Sequence, residues 1–156
     1  MANPNKYSAL GTFTTAITGT GTTAPTLRAL ASADAELGNA LDFTGSSDRQ
    51  IWSNWELLVT PASTPTAGSP VELYFLCAPD GTNYEYGDDA IDPSISALIF
   101  VFPVRASTTG HRITARHIRI PNCKFKPLIY NKIGQAFSNV DAQNILSYEL
   151  YTEDYP

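Results

Sequence analysis

The chain has 156 residues, of which 43% are hydrophobic and only 16% charged, against about 25% charged in an ordinary soluble domain. That length fits one domain able to bury a sizeable core without staples, and its many aromatic and β-branched residues exclude disorder. The net charge of −5 argues against general nucleic-acid binding, which needs clustered Lys and Arg; no stretch reaches the ~20 apolar residues of a membrane helix, and Met1 to Lys6 lack the apolar core of a signal peptide.

The opening is rich in Thr, Ala and Gly. Gly11 to Ile17 alternate and read as a strand, and Thr18 to Pro25 as a loop. Residues 1–24 are accordingly read as an extended N-terminal arm or edge strand, with the first ~20 residues ordering on a partner. Residues 25–156 are read as the folded domain. Leu27 to Leu41 admit a short helix, with Ser32 and Asp34 as N-caps and Gly38-Asn39 as an interruption.

From residue 50 the signals strengthen. Trp52 to Thr60 read as a strand, and Pro61 to Pro70 as a loop. Val71 to Cys77 alternate, which puts Val71, Leu73, Phe75 and Cys77 on a core face and Glu72, Tyr74 and Leu76 on the other. Pro79-Asp80-Gly81 is a turn, with Pro presetting φ and Gly accepting positive φ. Ala97 to Val104 are nearly all apolar and read as a strand buried on both faces, with Pro103 placing it at an edge or ending it. His111 to Ile120 carry a phase break that a bulge near Ala115–Arg116 explains. Lys124 to Tyr130 form a strand interrupted by Pro127, and Asn144 to Thr152 close the chain. Seven or eight short strands with no helical period predict an all-β, jelly-roll-like antiparallel β-sandwich.

The residues offer little chemistry. His111 and His117 sit on one strand, about 20 Å apart, too far for one metal. No nucleophile elbow, zinc or P-loop motif is present, so no catalytic residue, cofactor or enzymatic activity is expected. Cys77 and Cys123 read as small buried hydrophobes whose spacing does not demand a disulfide. Asp80, Glu85, Asp88, Asp89 and Asp92 crowd one loop; Asp80, Asp88 and Asp89 are its calcium candidates, against a solvated hairpin or a surface that docks on a basic partner. Seven of the ten cationic side chains fall in 105–132. Either they pair within the molecule, at little gain in stability, or they form a basic face that meets the acidic loop of another copy. The candidate interaction surface is therefore Arg112, Arg116, Arg119, Lys124, Lys126, Asp88 and Asp89, with Phe13 on the arm. Trp52, Trp55, Tyr84 and Tyr86 are either core and interface anchors or a sugar-stacking platform.

Two stretches carry a family resemblance. One is Trp55-Glu-Leu-Leu-Val-Thr, a Pro/Thr/Ser loop, and Val71-Glu-Leu-Tyr-Phe-Leu-Cys-Ala-Pro-Asp-Gly-Thr-Asn-Tyr84. The other is His117-Ile-Arg-Ile-Pro-Asn-Cys-Lys-Phe-Lys-Pro-Leu-Ile-Tyr-Asn-Lys-Ile-Gly-Gln-Ala-Phe137. Together they resemble small β-sandwich structural proteins of tailed bacteriophages, the capsid decoration or cement proteins and related virion components. The chain departs from that pattern at Asn122, where a second proline is usual, and at Ile133, where a small or polar residue is usual. The resemblance implies a non-enzymatic protein made in the host cytoplasm and located on the virion. It would bind the major capsid protein as a homotrimer, without membrane or nucleic acid. The alternative is a tail-associated receptor-binding or carbohydrate-binding module.

Overall fold

The computed structural model describes residues 6–7, 13–20, 25–44, 52–87, 91–151 and 153–154, the two terminal pairs by backbone alone. In chain order the strands are β1 (Lys6–Tyr7), β2 (Thr14–Ile17), β3 (Ala35–Leu37), β4 (Trp52–Val59), β5 (Pro70–Ala78), β6 (Leu98–Pro103), β7 (His111–Arg119), β8 (Lys124–Asn131), β9 (Ile145–Tyr151) and β10 (Glu153–Asp154). A 3-10 turn at Ile95–Ala97 is the one helical element among the described residues.

The pairing is nested. β5 pairs with β6, β4 with β7, β3 with β8, β2 with β9 and β1 with β10, all antiparallel. Such a chain is one long two-stranded ribbon, and rolling it up sends most successive strands into alternate sheets. The two four-stranded sheets are ordered β2-β9-β4-β7 and β3-β8-β5-β6. The fold is the jelly-roll sandwich that the turn spacing predicts.

β4 shows why the sheets stack. Its residues alternate, so Ser53, Trp55, Leu57 and Val59 are buried while Trp52, Asn54, Glu56 and Leu58 are half-exposed. Inside the sandwich Trp55 meets Phe75 at 5.0 Å and stacks on Tyr148 at 5.1 Å, and Phe75 meets Phe125 at 4.5 Å. Trp55 and Tyr148 belong to one sheet, Phe75 and Phe125 to the other. Each large buried side chain contributes roughly 1.5–3 kcal/mol, and each ring pair about 0.5–1.5 kcal/mol beyond that. This aromatic spine is therefore a main source of adhesion between the sheets.

β5 is different, because both its faces are buried. Val71, Leu73 and Phe75 enter the main core as expected, with Cys77 packed against it. On the outer face, Tyr74 and Leu76 form a second core with Ala35, Ala97 and Leu128. Glu72, on that same face, is matched by Lys132 Nζ at 2.9 Å and accepts the Tyr74 hydroxyl at 2.5 Å.

Other elements depart from the sequence reading. Leu27 to Leu41 form no helix. The chain turns at Ala29 and Ala33, with φ of 58° and 59°, and Ala35–Leu37 pair with Leu128–Tyr130. The backbone N–H groups of Ala29 and Ala33 donate to Ser138 and Asn131 carbonyls, so tertiary partners override local helix preference. β6 is an edge strand, as Pro103 indicates, but only Phe102 along it is buried; burial on both faces belongs to β5 instead. In the N-terminal segment, β2 pairs with β9 and Ile17 is fully buried in the main core. Residues 14–17 are thus the edge strand of that reading rather than a partner-dependent arm. Residues 1–5, 8–12 and 21–24 lie outside the described residues.

The family-like turn after β8 has a structural role. Asn131 is fully buried; its Nδ2 donates to the Leu30, Ala31 and Gln135 carbonyls and its Oδ1 accepts the Ile133 N–H. Gly134, at φ 77°, supplies the left-handed turn. Ile133 is itself fully buried in the main core. Pro127 is tolerated inside β8 because β3 ends at Leu37. Beyond that end the Pro127 carbonyl accepts the Gly38 N–H at 2.8 Å. A Cβ at Gly38 would come within 2.9 Å of Pro127 Cγ, so this close approach requires glycine.

Candidate interaction surface

The jelly-roll order decides where each candidate residue lies. Arg112, Arg116 and Arg119 are on β7, in the first sheet, whereas Lys124 and Lys126 are on β8, in the second. The basic segment is continuous in sequence but is divided between the two sheets, so it forms no single basic face. Arg112 pairs with Glu56 on neighbouring β4, and Lys126 lies over the Tyr84 ring at 4.6 Å. Lys124 acts electrostatically on Asp42. Arg116 and Arg119 are exposed.

These two exposed arginines flank a constellation on the outer face of the first sheet. The register places Arg119, Trp52 and Tyr151 in one row across β7, β4 and β9. Between Ser53 and Trp55 the β4–β7 register shifts, so Arg116 and His117 together oppose Asn54. This is the expected bulge, one residue further along. His117 there has φ 59°, a left-handed conformation that a non-glycine residue holds only when its surroundings impose it. Its N–H donates to Asn54 Oδ1 at 3.1 Å, Asn54 Nδ2 donates to Glu149 Oε1 at 2.7 Å, and its Nδ1 is 2.7 Å from the Tyr151 hydroxyl. The imidazole stacks on Trp52 with centroids 3.8 Å apart, and the buried Trp52 indole N–H has no hydrogen-bond partner among the described residues. The phase break near Ala115–Arg116 was the signal for this group available in the sequence.

The acidic loop is largely occupied by its own turn. Asp80 Oδ1 accepts the N–H groups of Thr82 and Asn83 at 2.9 and 2.8 Å, and Oδ2 accepts Asn83 Nδ2 at 2.7 Å. These bonds, the Asn83 backbone N–H first, hold the Asp80 carboxyl below its ordinary range. Glu85 Oε2 accepts the Cys77 N–H, and Asp92 holds the Tyr130 phenol above its ordinary range. Asp88 and Asp89 lie outside the described residues. Among the described residues no cluster of His, Cys, Asp or Glu could hold a metal ion.

The four aromatics do not form one platform. Trp55 is in the core, Tyr84 is covered by Lys126, and Trp52 is stacked on His117. Tyr86 is 81% exposed. Near it in sequence, Ile91 is 50% and Ile95 76% exposed, and Val101 of edge strand β6 is 43% exposed. Phe13, just ahead of β2, is 40% exposed. Scattered apolar residues are normal on a surface, but four within sixteen positions beside a sheet edge are a concentrated apolar segment.

Comparison of the chain with family models, with curated proteins and with solved structures finds no match. Among the described residues no helix is long and apolar enough to cross a membrane.

Proposed function

We propose that this chain is a non-enzymatic capsid decoration protein of a tailed phage, binding the major capsid protein on the assembled head as a homotrimer. The observation that carries the reading is the apolar segment of Tyr86, Ile91, Ile95 and Val101 beside edge strand β6. Phe13 and Val140 are also exposed, but four exposed apolar residues in one stretch cost solubility unless a partner buries them. The rigid jelly roll and the phage-like turns agree with such a role. Light scattering on the purified protein, followed by sedimentation with assembled heads that lack it, tests the proposal. A trimer that pellets with the heads is expected. A strict monomer that stays in the supernatant would overturn it.

A second reading rests on the Trp52–His117–Tyr151 group with Arg116 and Arg119 beside it: a carbohydrate-binding face on a tail-associated module. Trp52 fluorescence that changes with a host polysaccharide would favour it. Fluorescence indifferent to a polysaccharide panel would count against it.

A further inference from the structure

The two cysteines, distant in sequence, meet in the fold. The β5–β8 register pairs Cys77 with Phe125 and Ala78 with Lys124. Cys123 directly precedes Lys124, so the chain enters β8 beside the Cys77-Ala78 end of β5. Both cysteines are free and half-buried, and the Cys123 side chain is near enough to act on the Cys77 thiol. Cys77 is held still: the Glu85 N–H donates to its carbonyl at 2.9 Å and Glu85 Oε2 accepts its N–H at 3.1 Å. Cys123 lies in the bend before β8, outside the ladder, so it can supply the movement that brings the sulfurs to the ~2 Å of a disulfide.

We propose that Cys77 and Cys123 form a paired-thiol modification site, which a low-molecular-weight disulfide such as oxidised glutathione converts to a Cys77–Cys123 disulfide that staples β5 to the entry of β8. In the first step the Cys123 thiolate attacks one sulfur of oxidised glutathione. Its S–S bond breaks, one glutathione thiolate leaves, and a protein–glutathione mixed disulfide forms. In the second, the Cys77 thiolate attacks the Cys123 sulfur and expels the second glutathione. The two protons lost by the protein end on the two glutathiones, so the dithiol is oxidised by two electrons and the glutathione disulfide is reduced. Cys77 comes second because Glu85 fixes it in the ladder, whereas Cys123, in the bend, is the sulfur that can move out to meet the oxidant. Burial, the first cause, raises the Cys77 thiol. The bridge would close the long loop through β6 and β7, which constrains the unfolded chain. The inference stands apart from the capsid reading and uses neither its surface nor its partner.

The test is to incubate the folded full-length chain with oxidised glutathione and read intact mass and melting without reductant. The expected product is lighter by two hydrogens, has no titratable thiol and melts several degrees above the reduced protein. The Cys77→Ser variant should stop at a one-glutathione adduct. A wild-type chain that stops at that adduct, keeps both thiols free while folded, or joins a second chain through sulfur would overturn the proposal.

Discussion

The outer faces of the two sheets are built on opposite plans. The first sheet turns a polar and aromatic ladder outward: Trp52, Asn54 and Glu56 of β4 meet His117, Arg112 and Glu149 through hydrogen bonds, a ring stack and an ion pair. The second sheet buries its outer face under a second apolar core, because Ala97 and Leu98 pack onto Tyr74 and Leu76. The segment that covers that face also carries exposed Ile91 and Ile95. One part of the chain thus seals the sheet and presents the apolar surface assigned to a partner.

The contrast is sharpest in the strand interiors. Leu76→Ala, on the outer face of β5, should cost about 2–5 kcal/mol in urea unfolding, as a core leucine does. Leu58→Ala, on the outer face of β4, should cost under about 1 kcal/mol. Equal costs would erase the distinction between the faces. Asn54→Ala should cost about 1–2 kcal/mol, since it leaves the His117 N–H and buried Glu149 each short of a partner.

Tyr74 gives the contrast a pH signature. Burial, then the hydrogen bond to Glu72, holds its phenol above the ordinary range. A raised folded value means the contribution is complete below the unfolded value near pH 10 and is lost as pH rises beyond it. The melting midpoint should therefore fall above about pH 10, and Tyr74→Phe should flatten part of that fall. The smallest effect is expected at Arg112→Ala: its exposed pair with Glu56 is worth under about 1 kcal/mol, and less in high salt.

The alternation in β4 was readable because polar residues mark its solvent face. β5 was ambiguous because Glu72, Tyr74 and Leu76 suit either environment, and their cover comes from Ala97 and Leu98, more than twenty positions away. The sandwich class could be read from turn spacing, but the short strands β1, β3 and β10 could not. Nor could the nested pairing, since β2–β9 partners such as Thr14 and Tyr148, and β3–β8 partners such as Ala35 and Tyr130, are far apart in sequence and local pattern carries no signal for that. The same topology divided the basic segment: parity within β7 was visible, but the placement of β7 and β8 in different sheets was not. The calcium candidate Asp80 sits in Asp80-Gly-Thr-Asn, where the same residues make a turn that satisfies its own carboxylate.

The central claim is that the apolar segment beside β6 holds the protein to a capsid. Its most direct measurement is co-sedimentation of the wild-type chain and of a Tyr86→Ser/Ile95→Ser double variant with assembled heads lacking the protein, with melting curves for both. The account predicts that the wild type pellets to saturation, while the variant, melting at the same temperature, stays in the supernatant. A variant that binds as the wild type does, or a wild type that never pellets, would contradict it.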